Sequence, residues 1–305
     1  MPLKDLESKL RRWDDPLSDS EESVCQTAIR TIKRIIDNCE SLKSRDIVVF
    51  EQGSHANKTN VRNNSDVDIA VVCGQTFYSA VPPNRKKSDY GIISSDYSYN
   101  QYKHEVFDAL AKHFNIGEVN YGQKSLKIEH FKYNNSYINI DVVPFFRFRE
   151  YGQRDVRHLG VSLLTPSGEQ IINYPEQHIR NSMDKNARTN HYYKRMVRCF
   201  KSLKYELEET HSNVSAVKSF VLESILYNLD DDVYDMEKTL KSVAGHNLEP
   251  YSAMFWNCIQ KAKKLLTEQP DSLYEPNEIL KLFDDKTRNR QTYICFLGLL
   301  EHYCF

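Results

Sequence analysis

Gln52-Gly53-Ser54, then Thr59, then Ser65-Asp66-Val67-Asp68-Ile69 decides how this 305-residue chain is to be understood. Ile47 to Phe50, just before it, is a short apolar run with the composition of a strand. Val67 to Cys73 is apolar on both faces except at Asp68, which predicts a central strand covered on both sides. A glycine at the end of a strand lets backbone approach phosphate closely, and the residues after it can open a helix whose free N–H groups attract anions. Side chains two apart on a strand project from one face, so Asp66 and Asp68 point the same way. Two like charges side by side are costly to bury unless a cation sits between them, and hard carboxylate oxygens suit a divalent ion. Asp-x-Asp at a strand end is otherwise a solvated turn, and Gly-Ser alone carries no signal; the combination is what is specific.

Lys124 to Phe131 and Tyr137 to Val143 flank the turn pair Asn134-Asn135 and predict an antiparallel hairpin. On its second strand Tyr137, Asn139 and Asp141 share one face, while Ile138, Ile140 and Val142 take the other. Asp141 thereby becomes a third strand-borne carboxylate. Three such groups on adjacent strands can hold two metal ions about 3.5 to 4 Å apart, the arrangement of phosphoryl and nucleotidyl transfer.

The chain changes texture along its length. Glu22 to Cys39 and Tyr102 to Phe114 carry apolar residues at helical spacing, and Tyr78 to Asn100, rich in Ser, Tyr, Pro and Asn, has none and predicts a surface insertion. From about Pro175 the pattern is helical: a long tract to Glu208 with Tyr193, Met196, Val197, Phe200, Leu203 and Leu207 on one stripe, then helices near 217–229, 250–266, 276–283 and 286–303. Two domains follow, 1–170 with the sheet and an N-terminal helix, and 171–305 as an α-helical lobe closing a ligand cleft. Lys194, Arg195, Arg198, Lys201 and Lys204 form a basic stretch most simply solvated, or alternatively a phosphate-lined rim, and His191, Tyr192 and Tyr193 are taken as helix-surface residues.

With 41 Lys+Arg against 42 Asp+Glu, a net charge of −1 excludes a duplex-DNA binder that works by whole-surface attraction. No apolar run is long enough to span a bilayer, and the N-terminus has no apolar signal core, which implies a cytoplasmic protein with no membrane attachment. Seven scattered cysteines, an odd number without Cys-x-x-Cys spacing, imply free thiols and neither a disulfide frame nor a zinc ribbon.

Gly53-Ser54 followed by Asp66-Val67-Asp68 and Asp141 resembles the polymerase-beta-like nucleotidyltransferase superfamily. Gln52-Gly53-Ser54 with Thr59 and Ser65-Asp66-Val67-Asp68-Ile69 resembles, more narrowly, the cGAS/DncV-like nucleotidyltransferases of bacterial anti-phage (CBASS-type) signalling. Arg195-Met196-Val197-Arg198-Cys199-Phe200-Lys201 is similar to that family's spine helix, and Lys218-Ser219-Phe220-Val221-Leu222-Glu223 to the segment that closes over the nucleotide. The resemblance implies an α+β fold, a polymerase-beta-like core with a mixed sheet packed on a C-terminal α-helical lobe. It implies a monomeric cyclic oligonucleotide synthase, a dinucleotide synthase in its simplest form, using NTPs and two Mg²⁺ ions for which Mn²⁺ can substitute. Asp66, Asp68 and Asp141 would bind metal; Gln52, Gly53 and Ser54 would contact substrate. Lys201 would hold triphosphate, Ser219 would touch phosphate or base, and Phe220 would stack on a nucleobase. Lys201 is alternatively an outer-face lysine, and Ser219 and Phe220 alternatively a helix cap and a core aromatic. Asn173 and the Tyr78 to Asn100 insertion are candidates for base choice. Neither the Cys/His zinc insertion nor the basic face of the animal enzymes is present, so activation by duplex DNA is not implied. A separate effector would recognise the product. Two other functions compete: nucleotide transfer to an RNA end or small-molecule acceptor, and a catalytically silent nucleotide-binding regulator, against which the intact carboxylate trio weighs.

Overall fold

The computed structural model describes residues 2–61, 66–283 and 288–305, so Ser65 of the quoted stretch and the start of the helix expected from 286 lie outside the described residues. In chain order the elements are α1 (Leu3–Trp13), α2 (Asp19–Asp37), β1 (Ile47–Gln52), α3 (Gly53–Ala56), β2 (Val67–Ala80), α4 (Tyr99–Phe114), β3 (Val119–Tyr121), β4 (Leu126–Tyr133), β5 (Ser136–Tyr151), β6 (Val156–Leu164) and β7 (Gln170–Asn173). Then follow α5 (Pro175–Arg188), α6 (Tyr192–Glu208), α7 (Ser219–Tyr227), α8 (Met236–Ser242), α9 (Pro250–Glu268) and α10 (Arg290–Cys304). Two compact units divide these: a sheet unit of Leu17–Ala56 and Arg62–Pro175, and a helical unit of Met1–Pro16, Asn57–Val61 and Glu176–Phe305.

In the sheet unit the strands run β1-β2-β5-β4-β3, with β6 on β5 and β7 on β6. β2 and β5 are parallel and the other pairs antiparallel, giving the mixed sheet expected. Val67, Ile69, Ala70 and Val71 of β2 are fully buried, because this strand has a neighbour on each side and α2 and α4 packed against the sheet. Ser18 and Glu21 form a capping box that starts α2, whose Ile32 and Ile36 enter the core. Tyr102 and Tyr99 of α4 are buried with their hydroxyls donating to Val71 O at 2.7 Å and Pro144 O at 2.8 Å, so the core carries rings without stranded polar atoms. β2 continues past Cys73 to Ala80, absorbing the start of the expected insertion, and its register against β5 slips between Cys73 and Phe77. The extra residues form a bulge pinned from behind, with Gly74 N donating to Asp46 O and Gln75 N to Arg45 O. A Cβ at Gly74 would lie 2.2 Å from Asp46 Oδ2. β6 and β7 were not foreseen from the sequence.

In the helical unit the long tract resolves into α5 and α6, broken where Asn190 and His191 take φ of 48° and 68°. α6 buries the predicted stripe, but it also buries Lys194, Arg198, Lys201 and Lys204, and Tyr193 is fully enclosed. The expectation of a solvated basic face is thus overturned: α6 is packed on several sides, and Arg198, Lys201 and Lys204 are matched to carboxylates or carbonyls. α1 lays Leu6 and Leu10 into the same core. Its Glu7, 3% exposed, accepts from Tyr251 N at 3.2 Å and Ser252 N at 2.7 Å, capping α9, where Pro250 at the first turn offers no N–H. The helix expected at 276–283 is absent; the chain turns there and Tyr274 bridges Lys281. No helix among the described residues is long and apolar enough to cross a membrane.

Candidate active site

β1 ends at Gln52, which lies opposite Asp68 in the β1/β2 ladder. The chain then turns at Gly53 with φ +67°, and a Cβ built there would meet Asp68 Oδ2 at 2.3 Å and its Cγ at 3.1 Å. The Asp68 carboxylate fills the space that a side chain at position 53 would need, so glycine is required by conformation and by room. Ser54, half-buried, begins the single turn of α3.

β2 and β5 run side by side with Val67 opposite Ile140 and Asp68 opposite Asp141. One residue earlier, Asn139 Nδ2 donates to Asp66 Oδ1 at 3.1 Å. Asp66, Asp68 and Asp141 therefore share one face, together with Asn139, while Val67, Ile69, Ile140 and Val142 fill the core side. On the next strand Lys127 faces Asp141 across the β4/β5 register, its Nζ 3.6 Å from Asp141 Oδ1. Burial raises the carboxyl pKa of Asp141; Lys127 opposes the rise and the charge of Asp66 adds to it.

The three carboxylates are neighbours without being drawn into one cage: among the described residues no trio of His, Cys, Asp or Glu is gathered tightly enough to be a ready-made metal centre. Like charges repel, and here Asp66 leans to Asn139 and Asp141 to Lys127. As a donor set they nonetheless fit a hard divalent cation, being carboxylates on one face of adjoining strands, with no thiol or imidazole among them.

His55 was passed over in the sequence and proves to be the anchor of the Gly-Ser turn. It is 1% exposed, with Nδ1 2.6 Å from Glu51 Oε2 and Nε2 3.3 Å from Glu22 Oε2. Burial alone would lower its pKa, but hydrogen bonds with Cys25 and Glu51 and their charges raise it to about 10. His55 is thus an imidazolium at neutral pH, tying the turn to β1 and α2.

Lys201, Ser219 and Phe220 belong to the helical unit. Lys201 is buried, and its Nζ donates to Glu223 Oε2 at 2.7 Å, Thr59 Oγ1 at 3.0 Å and Thr59 O at 3.2 Å. It is therefore not an outer-face lysine, and a phosphate would have to displace one of these acceptors. Thr59 Oγ1 donates in turn to Glu223 Oε2 at 2.8 Å, and His178 Nε2 lies 3.1 Å from Glu223 Oε1. One turn earlier on α6, Arg198 donates to Lys58 O at 2.9 Å and to Asp14 Oδ1 at 3.0 Å. Two cations of α6 thus grip consecutive residues of the segment that follows the Gly-Ser turn in the chain. Ser219 opens α7 and lies 3.3 Å from Tyr205 OH; Phe220 packs at the edge of the helical core, with Arg288 5.3 Å from its ring centroid and His178 5.6 Å away. Asn173 sits opposite Val161 at the end of β7, and the Tyr78 to Asn100 segment lies beyond the β2 bulge, at the opposite end of that strand from Asp68.

Residues 180–304 match the description of the cGAS/DncV-like nucleotidyltransferase C-terminal helical domain. The chain is 33% identical to the cyclic GMP-AMP synthase CdnE03 of Staphylococcus schleiferi, across 93% of this chain and 92% of that protein. It is 36% identical to the cyclic dipyrimidine nucleotide synthase CdnE of Cecembia lonarensis, across 75% and 77%. Among solved structures it superposes on the Rhodothermus marinus CdnE c-UMP-AMP synthase with Apcpp and Upnpp at a TM-score of 0.81 and 25% identity, covering 97% of this chain and 95% of that one. The Elizabethkingia meningoseptica CdnE cyclic dinucleotide synthase with GTP and Apcpp gives 0.75 and 27%, covering 98% and 99%.

Proposed function

Since this chain belongs to the cGAS/DncV-like nucleotidyltransferase family, we propose that it is a cyclic oligonucleotide synthase, in its simplest form a dinucleotide synthase, that condenses NTPs with release of pyrophosphate. Its product acts as a second messenger in bacterial anti-phage signalling of the CBASS type, recognised by a separate effector, and the enzyme works as a cytoplasmic monomer. The observation that carries the assignment is the register of Asp68 against Asp141 directly over Gly53.

Asp66, Asp68 and Asp141 would hold two divalent cations, Mg²⁺ or in its place Mn²⁺. When bound, such ions lower the pKa of an attacking ribose hydroxyl and neutralise a triphosphate. The chain's own residues supply the positioning. Asn139 and Lys127 orient two of the carboxylates, and Gly53 leaves backbone open for a phosphate with the Ser54 hydroxyl beside it and Gln52 at the end of the strand. His55 keeps that turn in place. Lys201 fastens Thr59, and reaches phosphate only by exchanging an acceptor. The roles of Ser219 and Phe220, toward phosphate and base, rest on the family resemblance. The relatives join GMP to AMP, pyrimidine to pyrimidine, and UMP to AMP, so base choice does not follow from family membership and must be read from the product.

Purified protein given all four NTPs with Mg²⁺ or Mn²⁺ should yield a phosphatase-resistant species whose mass fixes ring size and bases. EDTA, or Asp66→Ala with Asp68→Ala, should abolish it. A phosphatase-sensitive linear product, label transferred to an RNA end, or nucleotide binding without turnover would replace this function by one of its competitors.

A further inference from the structure

The sheet unit holds a cavity of about 760 Å³ beyond the β2 bulge, between the end of that strand and the 87–100 segment. Asp141 and Arg147 are six residues apart on β5, and Phe77 of the cavity wall pairs with Arg147. At about 3.3 Å per strand residue the cavity therefore lies about 20 Å from the carboxylates. It is not part of the candidate active site. Its size falls in the range of small-molecule sites, about 300 to 1,000 Å³.

Its lining is cationic, aromatic and hydroxylated, with no Asp or Glu among the lining residues. Arg45 is placed there by backbone bonds: its carbonyl accepts from Gln75 N at 3.2 Å and from Cys73 Sγ at 3.4 Å, fixing it behind the bulge. Its guanidinium lies 3.8 Å from the Tyr97 ring centroid, and its Nη1 reaches Gln75 Oε1 at 3.4 Å. Arg45 Nε is buried and has no hydrogen-bond partner among the described residues. Lys87, exposed to solvent, contributes a second cation to the lining. Tyr78 and Phe146 bring a second pair of rings, 5.4 Å apart.

From a held arginine, a lysine lining the same cavity, an aromatic wall and no acid among the lining residues, we infer that this cavity is a second nucleotide site, taking a nucleoside phosphate through Arg45 and Lys87 and its base against Tyr78. A phosphate joined to a planar ring suits this lining: phosphate oxygens for the two cations, a ring for the tyrosine face, and hydrogen bonds for the surrounding hydroxyls. The choice of a nucleotide among ring-bearing anions rests on the proposed function, since a synthase is surrounded by such substrates and products.

Equilibrium dialysis with UMP, AMP and cyclic di-AMP tests it on the full chain in the presence of EDTA, so that the carboxylate site, which needs a divalent ion to accept phosphate, is silent. Saturable binding of at least one probe is expected, weakened at least about tenfold by Arg45→Ala and by Lys87→Ala. Lys87 is exposed, so its variant keeps the fold even if the Arg45 variant does not. Binding of the mononucleotides alone marks a substrate-type site and binding of the cyclic compound a product-type site, and either supports the inference. No binding of any probe, or binding indifferent to both substitutions, overturns it. Failure here leaves the phosphatase-resistant product untouched, and loss of that product leaves this binding untouched, so the two proposals stand or fall apart.

Discussion

Lys201 Nζ lies 2.7 Å from Glu223 Oε2, with each side chain 4% exposed. Burial works against a charged Glu223, but the Lys201 charge and the His178 hydrogen bond hold its carboxyl far below the usual range. Removing one partner strands the other. Glu223→Gln or Lys201→Met should each cost about 3–5 kcal/mol in chemical denaturation, and Lys201→Met with Glu223→Leu distinctly less than the sum. Because the folded pKa is depressed, this stabilisation is present above the unfolded carboxyl pKa of about 4.5 and is lost as pH falls through the folded one, so in acid the unfolding free energy of wild type should fall faster than that of Glu223→Gln.

Gly53→Ala should damage catalysis far more than stability. It combines a left-handed backbone with a clash against Asp68, whereas Gly168, at φ +84°, has no atom within 4 Å of its built Cβ. Gly168→Ala thus isolates the backbone cost, about 1–2 kcal/mol. Gly53→Ala should show a similar or slightly larger stability loss, together with about a hundredfold fall in kcat because the Asp68 carboxylate must move. Equal activity in the two variants would remove Gly53 from the site.

His55 makes stability depend on alkaline pH. Its folded pKa is raised to about 10, so its contribution is complete below the unfolded value near 6.5 and declines as pH climbs through 10. Between pH 7 and 10 the wild-type unfolding free energy should fall faster than that of His55→Gln, by up to about 1.4 kcal/mol per pH unit. Parallel curves would mean that His55 is neutral in the native protein.

Lys127→Ala removes a cation that lowers the Asp141 pKa while leaving burial and Asp66 to raise it. The acid limb of the kcat/KM profile should then shift to higher pH, with the alkaline limb in place. An unmoved acid limb would show that Asp141 does not control it.

Much of the sheet unit was legible because its signals are local. The alternation of Tyr137, Asn139 and Asp141 with isoleucines needs no partner to be read, and Asp66-Val67-Asp68 carries its own face assignment. β6 and β7 escaped notice because β6 opens on mixed polar residues and β7 is a four-residue edge strand, so neither carries a long continuous apolar run. The basic residues of α6 were misjudged for a different reason: a lysine looks the same in sequence whether it meets water or a buried carboxylate. The acceptor that decides the matter for Lys201 is Thr59, 142 residues away. His55 offered a faint cue, lying four residues after Glu51, but its contacts with Glu22 and Cys25 depend on the fold of α2 against β1.

The helical unit borrows its first sixteen residues and a five-residue strap from the far end of the chain, and Glu7 caps a helix whose amide stands 244 positions later. A fragment beginning at residue 176 would thus emerge with an uncapped α9, an Arg198 lacking Asp14 and Lys58, and a Glu223–Lys201 pair lacking Thr59. On the ribosome the amino-terminal helix must wait, its leucines unsheltered, until the helices it packs against have been synthesised, so the helical unit completes its folding late.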